Sequence, residues 1–230
     1  FDKLDDYGIN VPKDDRLFRH FLTYDFEAYL EPVTNEGSQK LTFTHRHIPI
    51  SVSVCSNVPG FTEAHCVVDS NMDALIERMI RYMSRIREEC QRLNLVKFSN
   101  VFNKIEHEIT RMEAGQLMVP LPNGDFEIFD DYETKNHCRE MKKNVEKLRD
   151  QLVQYCDQIV CLGFNSSKYD CNLVKKCLAK HLHMDKSKSS FTVKRNNQYA
   201  CLSNEHFKFL DITHYLAPGL SYAKFLKAFG

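Results

Sequence analysis

Two stretches near the start of this chain alternate apolar and polar residues, and several later stretches repeat apolar residues at helical spacing. Residues 21–30 alternate aromatic or aliphatic residues with polar ones, and residues 47–55 carry isoleucine or valine at every second position. Successive side chains of a strand point to opposite faces, so both stretches predict half-buried β-strands. A third short strand is predicted over residues 64–68, and the short turns between the three favour an antiparallel meander.

The apolar spacing becomes helical from residue 71, and short apolar runs return after residue 157. Two charged, amphipathic stretches, about 71–112 and 132–156, predict helices on either side of a loop marked by proline and Asn123-Gly124. The remaining predicted elements are a buried strand at 158–163, a helix at 171–182, a hairpin with strands at 191–194 and 198–202, a strand at 207–212 and a helix beginning at 220.

This order of elements predicts an α/β domain over residues 21–230, in which strands and helices form layers. The helical stretch at about 71–156 is interpreted as an insertion that packs and spaces the domain and carries no chemistry. Residues 1–20 are charged and contain a turn, so they are interpreted as a lead-in segment.

The composition excludes several classes of protein. Formal net charge is zero, with 31 acidic and 31 basic residues, so any contact with nucleic acid must come from a local basic patch. The nine cysteines are scattered without a C-x-x-C pair, which favours reduced thiols over a disulfide framework. There is no signal peptide and no apolar run near the roughly 18 residues of a membrane span, so we expect a soluble intracellular protein that does not enter a membrane.

Asp25-Phe26-Glu27 places two carboxylates on one predicted strand. Alternate residues share a face, so Asp25 and Glu27 point the same way while Phe26 points into the core. The two carboxylates repel one another unless a cation lies between them, and Mg²⁺ is held by carboxylates together with water and substrate phosphate. The structural alternative is an edge strand with two solvated acids.

A second polar motif runs from Asn165 to Asp170, between a predicted buried strand and a helix. Functional groups of α/β sheets gather where strands end and helices begin, so Asp170 is expected at the same end of the sheet as the first acidic pair. The Asn165 amide can bind a phosphate or sugar without carrying charge. The structural alternative is a helix start with ordinary capping residues.

Both motifs resemble those of a known family. The segment FLTYDFEAYL resembles the first exonuclease motif of family-B DNA polymerases, and LGFNSSKYDCNL resembles the second, in which Asn is followed by three residues, an aromatic residue and Asp. Residues 191–230 resemble the hairpin and helix of the organellar, viral and protein-primed branch, and most closely the polymerase-like proteins of invertebrate mobile elements.

The resemblance implies an RNase H-like fold, with a mixed sheet flanked by helices and a helical insertion. It also implies a 3′→5′ exonuclease that holds two Mg²⁺ ions, or Mn²⁺, and acts on the single-stranded 3′ end of DNA. Asp25, Glu27 and Asp170 match three of the four metal-binding carboxylates. Asn165 matches a residue that contacts single-stranded DNA, and Tyr169 matches the aromatic residue of the second motif.

The fourth carboxylate of the family belongs to a Tyr-x-x-x-Asp motif. No such motif follows Asp170, and no motif of a polymerase palm occurs. We therefore expect a fragment: the front of a DNA polymerase, with the polymerase domain of the same protein as its partner and with an incomplete site when isolated.

Other polar residues leave alternatives open. His206 and Asp211 have the spacing of the general base and acid of a stand-alone DEDDh exonuclease, but the segment between them predicts a strand. His45, His47 and His65 lack a completed zinc-ligand spacing and are interpreted as surface histidines. Lys194 and Arg195 belong to a locally basic stretch that is either a solvated face or a track for a phosphate backbone. A remnant of a mobile element, or a module that only binds single-stranded DNA, is the remaining alternative.

Overall fold

The computed structural model describes residues 1–38, 41–115, 117–120, 125–184, 190–195, 198–217 and 219–229. Its helices are α1 (Asp2–Asp5), α2 (Met72–Lys97), α3 (Ser99–Glu113), α4 (Tyr132–Asp157), α5 (Asp170–His181) and α6 (Tyr222–Phe229). Its strands are β1 (Phe21–Ser38), β2 (Leu41–Ser56), β3 (His65–Val68), β4 (Leu117–Pro120), β5 (Phe126–Phe129), β6 (Ile159–Gly163), β7 (Phe191–Arg195), β8 (Gln198–Ser203) and β9 (Phe207–Asp211). Short 3₁₀ turns cover Lys13–Arg16 and Ile212–Tyr215.

Seven of the strands form one mixed sheet in the order β3-β2-β1-β6-β9-β8-β7. Strands β1, β2 and β3 pair antiparallel, which confirms the predicted meander. Strand β6 runs parallel to β1, and β9 runs parallel to β6. The α/β class and the mixed sheet flanked by helices are confirmed, and the strand order is consistent with an RNase H-like fold.

Strand β1 buries alternate side chains, as its sequence predicts. Leu22, Tyr24 and Phe26 are buried, while Asp25 and Glu27 are exposed on the other face. Burial of one face is the strongest determinant of strand register, because a shift by one residue would exchange the two faces. The apolar residues of β1 therefore determine which way the acidic pair points.

The pairing of β1 with β2 extends further than the alternation of residues predicts. The predicted strand at 21–30 is the first part of β1, which continues to Ser38. The predicted strand at 47–55 lies in the last part of β2, which begins at Leu41. A register shift follows the Glu27–Ser51 pair, since the next residue, Ala28, pairs with Pro49. Such an irregularity transfers the following side chains of the bulged strand to the opposite face.

The chain divides into two compact units. One unit consists of residues Phe1–Arg19 and Gln91–Asp157, and the other of His20–Cys90 and Gln158–Gly230. The first unit has an apolar core of its own, in which α1, α3, α4 and the N-terminal residues contribute. Its buried residues are Leu4, Ile9, Val11, Phe98, Ile105, Ile109, Met112, Val145, Leu152 and Cys156.

The first unit also contains an element that was not predicted. Strands β4 and β5 pair antiparallel where the sequence predicted only a loop. Each strand has four residues, too few to establish an alternation against the Pro and Gly signals beside it.

Among the described residues, no helix has the length and apolar character needed to cross a membrane. All nine cysteines are free thiols.

Candidate functional site

The turn between β6 and α5 carries the second polar motif. Asn165 adopts a left-handed backbone conformation with φ of 59°, which asparagine tolerates better than most residues. The motif then enters α5 at Asp170, so the predicted helix start is confirmed within one residue. Tyr169 stands at the N-cap position and its side chain makes no capping hydrogen bond.

Glycine at position 163 allows this turn to fold back on the end of β6. A Cβ atom at Gly163 would lie 2.5 Å from Ser166 Oγ and 3.1 Å from Tyr24 Cζ. Ser166 is buried and so is Tyr24, which leaves little room for either to move away. The close approach therefore requires glycine.

Gly163→Ala is expected to lower the free energy of unfolding by about 2 kcal/mol, because the added methyl group overpacks a filled space. Urea unfolding followed by circular dichroism measures the change. Ser166→Gly removes the atom that the new methyl group would meet, so the double variant should recover part of the loss. An unchanged unfolding midpoint for Gly163→Ala would show that the turn does not pack this closely.

Asp211 holds the turn in place from the end of β9. Its Oδ1 accepts hydrogen bonds from the N–H of Asn165 at 3.1 Å and from the N–H and hydroxyl of Thr213 at 2.9 and 2.6 Å. Its Oδ2 accepts one from the N–H of Ser167 at 2.9 Å. Burial alone would raise the pKa of the Asp211 carboxyl, but these hydrogen bonds from Ser167 and Thr213 lower it below its ordinary value. Asp211 is thus an ionised anchor rather than a free ligand.

Asp170 is also buried, at 3% exposure, but fewer hydrogen bonds hold its carboxylate than hold that of Asp211. Its Oδ1 has no hydrogen-bond partner among the described residues. Burial first and the charge of Asp25 second raise the pKa of the carboxyl from 3.8 to about 6, and a hydrogen bond from the main chain of Phe26 opposes the shift. A buried carboxylate with an unpartnered oxygen is destabilising unless a cation or proton reaches it.

Asp25 of β1 lies close enough to Asp170 to act on it electrostatically. The pKa of Asp25 is raised by partial loss of solvent and then by the charge of Glu27. The pKa of the Tyr169 hydroxyl is raised by loss of solvent and then by the charges of Asp170, Glu27 and Asp25, in that order. The three predicted acids therefore share one electrostatic environment around Tyr169.

A cleft of about 1340 Å³ opens beside the first motif. Asp25, Asn165 and Lys168 line it on the polar side, and all three are exposed. On the apolar side Phe164 contacts Tyr222 edge to face, with ring centroids 5.0 Å apart. Within the part of the chain that the structure describes, the Lys168 ammonium has no ion-pair partner.

The acids can be tested for their fit to the divalent ions that the resemblance implies. Among the described residues, no three His, Cys, Asp or Glu side chains are grouped so that they could hold a metal ion by themselves. Mg²⁺ usually binds through one or two carboxylates and completes its shell with water and substrate phosphate. The unpartnered Oδ1 of Asp170 and the nearby charge of Asp25 fit that mode.

The other two predicted DNA-binding residues, Lys194 and Arg195, belong to β7, which is four strands away from β1 in the sheet. Lys194 is exposed on β7, and its Nζ lies 4.8 Å from the ring centroid of Tyr199. Arg195 ends β7, and its side chain is outside the described part of the chain. Lys180 of the same basic stretch forms an ion pair with Asp73 at 2.9 Å.

The alternative pair, His206 and Asp211, is separated by strand β9. His206 precedes the strand and Asp211 ends it, so roughly 15 Å of extended chain lies between them. The three histidines considered for zinc have other contacts. His45 Nδ1 bonds to the Thr44 hydroxyl, His47 contacts Tyr169, and His65 stacks on Tyr82.

Sequence reasoning missed two features of the site. Lys168 stands inside the second motif, and its position three residues after Asn165 could have drawn attention to it. The aromatic side of the cleft, formed by Phe164 and Tyr222, could not have been found from either motif, because it joins residues 58 positions apart in sequence.

The chain was compared with protein-family models, with curated proteins and with solved structures, and none of the three comparisons found a match. The family resemblance of the two motifs therefore stays a prediction.

Proposed function

We propose that this chain is the 3′→5′ exonuclease region of a family-B DNA polymerase, which binds the single-stranded 3′ end of DNA. The observation that carries the proposal is Asp170, a buried carboxylate with an unpartnered oxygen beside the charge of Asp25. Acids whose pKa is shifted by burial and a neighbouring charge, in or beside a cleft, are candidates for functional sites. Its partner would be the polymerase domain of the same protein.

Asp25, Glu27 and Asp170 are the residues that would hold divalent cations. Bound Mg²⁺ supplies a water of lowered pKa and neutralises the charge of a phosphodiester. The protein's own contribution is to supply these acids from two elements, two on the exposed face of β1 and one at the start of α5. Asp211 contributes indirectly, because it fixes the turn from which Asp170 projects.

The cleft fits a single strand of nucleic acid. Asn165 offers an uncharged amide and Lys168 a cation to the sugar–phosphate backbone. Phe164 and Tyr222 offer aromatic surfaces on which unpaired bases stack, a contact that base pairing would prevent. Basic groups with aromatic surfaces are the usual elements of single-strand binding.

The unmodified chain is expected to bind a short single-stranded oligonucleotide more tightly in Mg²⁺ than in EDTA, and more tightly than the duplex of the same sequence. Fluorescence anisotropy measures both, with a phosphorothioate linkage at the 3′ end to prevent hydrolysis. Asp170→Asn should lose at least about 10-fold of the affinity in Mg²⁺, the loss typical when even an outer partner of a metal ligand is removed.

Glu63→Gln is the matched control, because Glu63 is an exposed acid of the same unit. It should leave the affinity unchanged. Equal binding in Mg²⁺ and EDTA, together with unchanged affinity in Asp170→Asn, would contradict the proposal.

A module that binds single-stranded DNA without hydrolysing it is the second candidate. It is favoured by the absence, within the described residues, of a group of three side chains able to hold a metal ion. An oligonucleotide without the phosphorothioate, incubated with the complete DNA polymerase that the first candidate implies, separates the two candidates, since only the exonuclease shortens it from the 3′ end in Mg²⁺ or Mn²⁺.

A further inference from the structure

His47 of β2 contacts the aromatic residue of the second motif, which is 122 positions away in sequence. Its Nδ1 lies 3.0 Å from the hydroxyl oxygen of Tyr169, within hydrogen-bond distance. The two rings meet nearly at right angles, with centroids 5.4 Å apart and an interplanar angle of 77°. A hydrogen bond and a ring contact together determine the orientation of the Tyr169 ring.

The register shift in β2 brings His47 to this position. Ser51 and Ser53 pair with Glu27 and Asp25, so without the shift His47 would fall on their face of the sheet. The shift instead pairs His47 with Leu30, two positions after the Ala28–Pro49 pair. His47 therefore lies on the other face, and its ring contacts Tyr169 at the start of α5.

Tyr169 needs such an orienting contact because little else holds its side chain. It is 36% exposed and stands at the N-cap of α5 without a capping hydrogen bond. Tyr169 directly precedes Asp170 at the start of α5, so its ring is attached next to that acid. A mobile ring at this position would lose its rotational freedom whenever a ligand bound.

We propose that His47 is a positioning residue, which holds the Tyr169 ring next to Asp170 so that the terminal nucleotide of a single strand can contact a fixed aromatic surface. The inference rests on the proposed binding of single-stranded DNA. Immobilising a side chain on binding costs about 0.5–1.5 kcal/mol, so a ring that is already fixed favours binding by a similar amount. This corresponds to about a 2- to 10-fold gain in affinity.

A double-mutant cycle tests the pairing. His47→Ala removes the orienting contact, and Tyr169→Phe keeps the aromatic ring but loses the hydrogen bond. Each is expected to weaken binding of the phosphorothioate oligonucleotide in Mg²⁺ about 2- to 10-fold. The double variant should bind the oligonucleotide with the same affinity as His47→Ala alone, because both changes remove the same interaction.

Conservative variants sharpen the test. His47→Asn keeps a hydrogen-bonding group near the position of Nδ1 and should restore most of the affinity, whereas His47→Gln places its amide further out and should not. His45→Ala is the matched control, since His45 lies two residues away on the same strand and bonds to the Thr44 hydroxyl instead. All variants should unfold at the temperature of the unmodified chain.

Unchanged affinity in His47→Ala, or additive losses in the double variant, would overturn the role of His47 while leaving the proposed function intact. Absence of binding by the unmodified chain would overturn the proposed function, and the role of His47 with it.

Discussion

Asp211→Ala is expected to lower the free energy of unfolding by about 3–5 kcal/mol. The carboxylate is 1% exposed and accepts hydrogen bonds from the main chain of Asn165, Ser167 and Thr213. Alanine would leave these N–H groups without their acceptor, and an unpaired buried donor costs about 1–3 kcal/mol. Urea unfolding measures the loss as a lower midpoint with an unchanged slope.

The effect of Asp211 should depend on pH in a defined direction. Its folded pKa lies below the ordinary value of 3.8, so its contribution is present above that value and is lost as the pH falls through the folded pKa. The difference between the unmodified chain and Asp211→Ala should therefore shrink in acid. A loss below about 1 kcal/mol at neutral pH would show that other contacts hold the turn.

Asp170→Asn is expected to act with the opposite sign and to stabilise the chain at neutral pH by up to about 3 kcal/mol. The folded pKa of Asp170 is raised from 3.8 to about 6, and each pKa unit corresponds to about 1.4 kcal/mol. Because the folded state holds its proton more tightly, the stability of the unmodified chain falls as the pH rises between these values and is then constant. An amide at this position carries no charge to bury.

The measurement compares unfolding of both proteins by urea at about pH 4 and about pH 8, with and without Mg²⁺. The variant should be more stable only at the higher pH. Mg²⁺ should stabilise the unmodified chain, since a ligand that binds only the folded state adds to its stability, and should not stabilise Asp170→Asn. Asp211→Asn provides the matched comparison, because the same substitution at that buried aspartate is expected to destabilise the chain. Lower stability of Asp170→Asn at both pH values would contradict the expectation.

The spacing of apolar residues was sufficient to predict most of the strands and helices, because an element that buries one face must place its apolar residues at regular intervals. The alternation in β1 and the helical spacing in α2 reflect faces that pack against a core. The sequence did not predict that β1 and β2 pair beyond residues 30 and 47, since main-chain hydrogen bonding does not require any pattern of side chains. The parallel pairing of β1 with β6 is also not predictable from the sequence, because nothing in either strand specifies a partner that distant.

For the candidate site, sequence motifs indicated a set of candidate acids but not how the environments of these acids differ. Asp170 and Asp211 are both buried aspartates that flank the same turn, yet the pKa of one is raised and that of the other lowered. The difference depends on which N–H groups point at each carboxylate, and only the three-dimensional structure shows this. The contact of His47 with Tyr169 depends on a register shift, which changes the face of a residue without changing the sequence pattern around it.

The pairing of β1 with β6 has a consequence for synthesis of the protein. The ribosome completes β3 at Val68 and reaches β6 only at Ile159. At about 5–20 residues per second, the hydrogen-bonding edge of β1 stays open for roughly 5–20 s in every nascent chain. Open strand edges pair with one another, so we expect recombinant yield to depend more on chaperone supply and expression rate than on the stability of the finished fold.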